Sequence, residues 1–168
     1  MASSTDALVL LREDHRAIRK LFKEFQSTGD RAVRRRGALV SKILEELTVH
    51  TYVENKVVYP RVRALMPELK DDILESYEEH HVADVLAAEL VSMQPDDERF
   101  VAKTTVLIEN VTHHIDEEEN EWFPAVRAGL SRTQLREIGV ELLRAKESAP
   151  RHPAQPGALQ KAARTLLG

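Results

Sequence analysis

One stretch of this chain occurs twice, and it limits the fold more than any other feature. Residues 50–64 carry His50, Glu54, Tyr59, Pro60, Val62, Arg63 and Ala64; residues 114–128 carry His114, Glu118, Phe123, Pro124, Val126, Arg127 and Ala128 at the same offsets. A glutamate follows each histidine by four positions, and an aromatic-proline pair then leads into Val-Arg-Ala. Residues four apart share one face of an α-helix, with Cβ atoms about 5–6 Å apart. Each copy can therefore turn one imidazole and one carboxylate toward the same point, which is half of a metal site presented twice.

The repeat extends further. Asp14 and His15 through Phe25 align with Glu79 and His80 through Leu90, pairing Leu21 with Leu86 and Glu24 with Glu89. Each half is then a helix with one inward histidine, a turn, and a helix with His-x3-Glu. Thr5 or Asp6 caps a first helix whose apolar face is Leu8, Leu11, Ile18, Leu21, Phe22 and Phe25, with His15 on that face. Gly29 and Asp30 make the turn. The second helix carries Leu39, Ile43, Leu47, His50, Glu54 and Val57 until Pro60, lacking an amide for the carbonyl of Lys56, kinks or ends it.

A third helix over about 67–93 has Ile73, Tyr77, His80, Ala83, Ala87, Leu90 and Val91 as its inner stripe. The fourth presents Phe100, Val106 or Leu107, Val111, His114, Glu118 and Trp122, and Pro124 and Gly129 stop it. Ser131 caps a fifth helix to about Lys146. The spacing thus predicts an all-α fold: an up-down-up-down four-helix bundle with an additional C-terminal helix. The domain is expected over residues 1–147, its core over 8–128, and residues 148–168 as a Pro-rich linker with a short amphipathic helix at Ala158–Leu167.

Composition narrows the chemistry. The 168 residues include no cysteine, so disulfides, iron–sulfur clusters and thiolate zinc sites are excluded and any metal must be held by nitrogen and oxygen. A net charge of −4 offers no general attraction to nucleic acid. The Arg31, Arg34, Arg35 and Arg36 cluster, without aromatic residues or a recognition motif, reads as the exposed start of a helix. No apolar run approaches the ~20 residues of a membrane span and no basic leader precedes one. The expectation is a cytoplasmic chain without membrane or nucleic-acid contact.

Four inward histidines, two with a carboxylate at i+4, in a duplicated frame point to metal. A core-facing Glu54 or Glu118 is costly unless paired or metal-bound. His81 and His113 sit about 100° around their helices from His80 and His114, so at most one of each pair can ligate. His80 is favoured because its phase keeps Ala83, Ala87 and Leu90 inward. Asp116, Glu117, Glu119 and Glu121 read as a solvated acidic face, with the option of accepting from the outer nitrogen of a metal-bound histidine. Tyr52, Tyr59, Tyr77, Trp122 and Phe123 read as packing, Tyr77 being the closest of them to His80 by phase, and His152 reads as inert.

His15, His50-x3-Glu54, His80 and His114-x3-Glu118 resemble the pattern of the hemerythrin-like, HHE cation-binding family over about residues 8 to 128. The resemblance implies two non-haem iron ions in the bundle core, bridged by Glu54 and Glu118 and by an oxo or hydroxo group. His15, His50, His80 and His114 would be terminal ligands. Oxygen-carrying hemerythrins have His-x3-His on the third helix; here Asp84 follows His80 by four, leaving Asp84, a water or nothing as the fifth ligand. No catalytic residue beyond the ligands is implied. Two functions follow as expectations: a diiron centre that decomposes hydrogen peroxide in catalase- or peroxidase-like fashion, or a module that binds or senses oxygen, nitric oxide or iron without turnover. A sensor would signal through a protein partner at the fifth helix or tail.

Overall fold

The computed structural model describes residues 5–154, which are mostly helical with no strand among them. Helix α1 (Ala7–Gln26) starts at Asp6, whose carboxylate accepts from the amides of Leu8 and Val9. That meets two of the four amides a helix start leaves unpaired. A short turn after Ser27 leads into α2 (Val33–Val53). Helix α4 (Lys70–Val91) follows a single 3-10 turn at Pro67–Leu69, so the third bundle helix begins three residues later than the periodicity predicts. Helix α5 is Phe100–Glu117 and α7 is Arg132–Ser148, the latter opened by a reciprocal cap between Ser131 and Gln134.

The prolines do not stop their helices. The backbone of α2 runs on through a π turn (Glu54–Val58) into α3 (Tyr59–Leu65), and that of α5 through a π turn (Glu118–Trp122) into α6 (Phe123–Gly129). The amides of Tyr59 and Phe123 bond back five residues, to the carbonyls of Glu54 and Glu118. The wider turn accommodates a proline ring that a regular α-helix would press against the carbonyl four residues back. Each π turn begins on the glutamate of the repeated motif.

Helix α1 packs on α2, α4 on α5, and α7 lies against α1 and the first π turn. The inner stripes match the expected ones except that Val91 is half exposed; of the two alternatives on α5, Leu107 is buried and Val106 is not. The core is divided. One apolar cluster contains Leu8, Leu11, Val53, Ile73, Phe123 and the inner face of α7; the other contains Ile18, Phe22, Ile43, Leu47, Ala83 and Leu107. The four inward histidines lie between them, His15 between Leu11 and Ile18 and His50 between Leu47 and Val53. The expected helix at 158–167 lies outside the described residues.

Candidate metal centre

His15, His50, His80 and His114, one from each bundle helix, are all buried, as are Glu54 and Glu118. Every imidazole turns its Nδ1 outward to an acceptor. Nδ1 of His15 meets Glu119 Oε1 at 2.8 Å, that of His50 meets Asp14 Oδ2 at 3.3 Å, and that of His80 meets Asn55 Oδ1 at 2.8 Å. Nδ1 of His114 meets Glu79. A ring that donates from Nδ1 keeps a lone pair on Nε2, and so all four Nε2 atoms face inward as potential ligands.

The inward atoms fall into two sets that share the carboxylates. Glu54 turns Oε1 to His50 Nε2 at 3.2 Å and Oε2 to His80 Nε2 at 3.2 Å. Glu118 turns Oε2 to His15 Nε2 at 3.1 Å and Oε1 to His114 Nε2 at 3.6 Å. The ligand atoms of His15, His50, Glu54 and Glu118 lie within 4.8 Å of one another, as do those of Glu54, His80 and His114. Nε2 of His15 and His50, Oε1 of Glu54 and Oε2 of Glu118 are buried without a hydrogen-bond partner. Buried polar atoms left unbonded are costly, and convergent ones are what an ion satisfies. Nε2 of His80 and His114 face each other at 3.0 Å, which needs a proton or a cation between two lone pairs. This cluster could hold metal through nitrogen and oxygen alone.

Protons take that role in the metal-free chain. Burial pushes the His50 imidazolium down, but the charges of Glu54 and Asp14 outweigh it and raise its pKa to about 10. His114 is likewise lowered by burial and raised more by Glu118 and Glu79, to about 9. Glu54 is held well below the usual carboxylate range: burial raises it, and His50 and His80 more than offset that.

Tyr59 stands at the centre rather than in the packing around it. Its hydroxyl donates to Glu118 Oε1 at 2.8 Å and lies 3.3 Å from Glu54 Oε2 and from Nε2 of both His80 and His114. Burial, with the two glutamates, holds the phenol proton on by raising its pKa well above the ordinary value. On a regular helix a residue five positions from Glu54 points about 140° away from it. The π turn closes that angle and brings both side chains to one face. Phe123 occupies the same place in the second repeat and stacks flat on His15, ring centroids 5.6 Å apart. The duplicated frame is therefore unequal at its centre, with a hydroxyl beside His80 and His114 and a bare ring beside His15.

Of the remaining expected candidates, His81 is exposed and Tyr77 packs edge-on against Tyr59 at 5.5 Å. Asp84 lines a separate cavity of about 330 Å³ with Asn55, Lys56 and Tyr52, where burial raises its pKa against the pull of His80 and His81. Neither His81 nor Asp84 joins the two donor sets. His113 is exposed and pairs with Glu117 at 3.0 Å. Glu119, read as part of an acidic face with the option of accepting from an outer histidine nitrogen, takes that option and holds His15.

The outer acceptors were legible in the repeat. Asp14 and Glu79 each precede the lone histidine of their half, and hold His50 and His114. Asn55 and Glu119 each follow the motif glutamate, and hold His80 and His15. Tyr59 had no such signal, because α-helical phase places it elsewhere.

Fold and cluster together define a helical bundle with a histidine and carboxylate layer that could hold metal ions. The chain belongs to the hemerythrin family: the model of the hemerythrin HHE cation binding domain matches residues 6–126. It is 30% identical over 137 residues to a DNA nickase of Nostoc sp., a match covering 82% of this chain and 38% of that protein. The chain thus spans well under half the length of that relative. It is 26% identical over 147 residues to an uncharacterized hemerythrin-like protein of Schizosaccharomyces pombe, covering 86% of this chain and 71% of the relative. A crystal structure of a hemerythrin HHE cation binding domain-containing protein from Mycobacterium kansasii superposes with a TM-score of 0.69 at 22% identity, covering 88% of this chain and 87% of that one. No helix among the described residues is long and apolar enough to cross a membrane.

Proposed function

We propose that this chain is a non-haem diiron protein that decomposes hydrogen peroxide. The carrying observation is that Glu54 and Glu118 each direct one oxygen to each histidine pair. On this reading His15, His50, His80 and His114 would hold the two irons, with Glu54 and Glu118 shared between the two histidine pairs. When bound, the two irons supply reversible one-electron change at each metal, two electrons in all, which matches what peroxide takes or gives. The chain supplies the rest. Asp14, Asn55, Glu79 and Glu119 fix the imidazoles with Nε2 inward. Tyr59 keeps its proton among the carboxylates and can donate from Oη to a small oxidant held beside it. Phe123 and Trp122 wall the layer with apolar surface, Trp122 meeting Tyr59 edge-on at 5.5 Å.

Two features favour peroxide over reversible oxygen carriage. Helix α4 offers one inward histidine and turns Asp84 to a different cavity, so nitrogen donors are fewer than in a carrier. Carboxylate oxygen, supplied by Glu54 and Glu118, favours the ferric state, since anionic oxygen offsets its extra positive charge. The test is oxygen evolution from peroxide by iron-loaded protein beside the His50→Ala variant. Evolution no greater than the variant's, with a ferrous form that takes up oxygen and releases it under vacuum, would establish carriage instead. The nickase name belongs to the longer Nostoc protein. For this chain we expect no nicking of supercoiled plasmid, since its net charge of −4 offers no general attraction to nucleic acid.

A further inference from the structure

We propose that Glu79, His113 and Glu117 form an outer divalent-cation site through which metal reaches the buried centre. The inference rests on the reading that the histidine and glutamate layer holds metal, and adds a place where the ion first binds. Glu79 comes from α4, and His113 and Glu117 come from α5; one ligand atom of each lies within 4.8 Å of the others. The three are partly or fully exposed. Two carboxylates and an imidazole, with water completing the shell, suit a borderline or hard divalent cation held weakly enough to move on.

The position of this cluster gives it a direction. A cavity of about 140 Å³ begins among the exposed Asp72, Glu75 and Glu121 and ends on the buried His114 and Glu118. Among the described residues, no lysine or arginine forms an ion pair with Glu75, Glu79, Glu117 or Glu121; imidazoles meet Glu79 and Glu117, and Asp72, Glu75 and Glu121 leave the entrance acidic. A cleft lined by one sign of charge concentrates the opposite ion. At the inner wall stands Glu118, 2% exposed, whose carboxylate belongs to the buried centre and turns Oε2 to His15 Nε2 at 3.1 Å. Glu79 joins the two ends: it belongs to the outer cluster and also contacts Nδ1 of His114. An ion at the outer site is thus one carboxylate away from a histidine of the centre. The cavity beside Asp84 is a poorer entrance, because Lys56 and two prolines, Pro150 and Pro153, line it.

The experiment compares chelator-stripped wild type with His113→Ala/Glu117→Gln, both changes on exposed side chains. Ferrous iron is mixed anaerobically with each protein, and bound metal is followed in time and then measured at equilibrium. The expected result is uptake slowed roughly tenfold in the variant, the order of magnitude that electrostatic focusing gives an on-rate, with equal final content. Crystals of wild type soaked in Mn²⁺ should show an anomalous peak between Glu79, His113 and Glu117 that the variant lacks. Equal uptake rates with no outer peak would overturn the proposal. A wild type that binds no metal at equilibrium would remove the buried centre and its loading site together, and final content separates that failure from the first.

Discussion

At the scale of single residues, Tyr59 and the two motif histidines divide the work differently. Tyr59→Phe removes one hydroxyl and leaves the ring, so metal content should stay near wild type. Peroxide decomposition should fall by about a hundredfold, the low end of what a positioned proton donor contributes. Iron analysis and oxygen evolution on the same sample check this; loss of iron in parallel with activity would make Tyr59 a ligand instead. His50→Ala and His114→Ala should lose metal, since each removes a donor and leaves a core carboxylate uncompensated. His81→Ala, on an exposed side chain, should stay within about 0.5 kcal/mol of wild type with full metal content. Metal loss in His81→Ala with retention in His80→Ala would reverse that assignment.

The same histidines set a pH dependence for the metal-free chain. The folded-state values of His50, about 10, and His114, about 9, lie above the ordinary 6.5. Stability from their protonated forms is therefore fully present below about pH 6.5 and is lost as pH rises through 9 and then 10. Stripped protein should show a lower urea midpoint at pH 10 than at pH 7. The loaded protein should lose less over that window, because a metal rather than a proton holds Nε2. Parallel midpoints for the two forms would refute this.

Among the elements, α7 is the one outside the four-helix frame, and its docking depends on a missing side chain. A Cβ at Gly139 would fall 1.7 Å from the carbonyl oxygen of Thr5 and 3.1 Å from the amide of Ala7. Both are backbone atoms at the start of α1, so neither can swing aside. Gly139→Ala should gain helix propensity within α7 yet destabilise the protein by about 1–3 kcal/mol, the usual range for overpacking. A urea midpoint at or above wild type would mean that α7 shifts freely over α1. The π turns are elements of the other kind, in which local geometry serves the centre: each begins on a motif glutamate and ends just before an aromatic that faces the histidine layer.

For the whole molecule, the consequence is a core in two parts with an ionisable layer between them. Six such groups in one buried layer are tolerable when a cation neutralises them and expensive otherwise. We expect two irons per chain at saturation and a marked loss of stability on stripping. An ion present at a thousandfold its dissociation constant stabilises by about 4 kcal/mol, which for a chain of this size is roughly 10 °C in Tm. Calorimetry before and after chelation measures it, with elemental analysis for stoichiometry. One metal per folded chain, or an unchanged Tm, would remove the diiron reading.

Over residues 5–154 the sequence by itself determined which bundle helices form, most of the faces they bury, and that His15, His50, Glu54, His80, His114 and Glu118 meet in one layer. These follow from 3.6-residue periodicity and from a repeat that carries its own symmetry. The outer acceptors Asp14, Asn55, Glu79 and Glu119 were present in that same symmetry, one position from a ligand candidate. Only the tertiary structure decided that Pro60 and Pro124 continue their helices, and that Tyr59 enters the centre while Asp84 leaves it. The reason is physical: one i→i+5 turn rotates every later side chain relative to α-helical phase, so a pattern read at 100° per residue fails beyond it. Asp84 is four residues from His80 on a regular helix, yet its carboxylate faces a side cavity, because the direction a side chain takes there is set by the neighbouring helix and not by spacing.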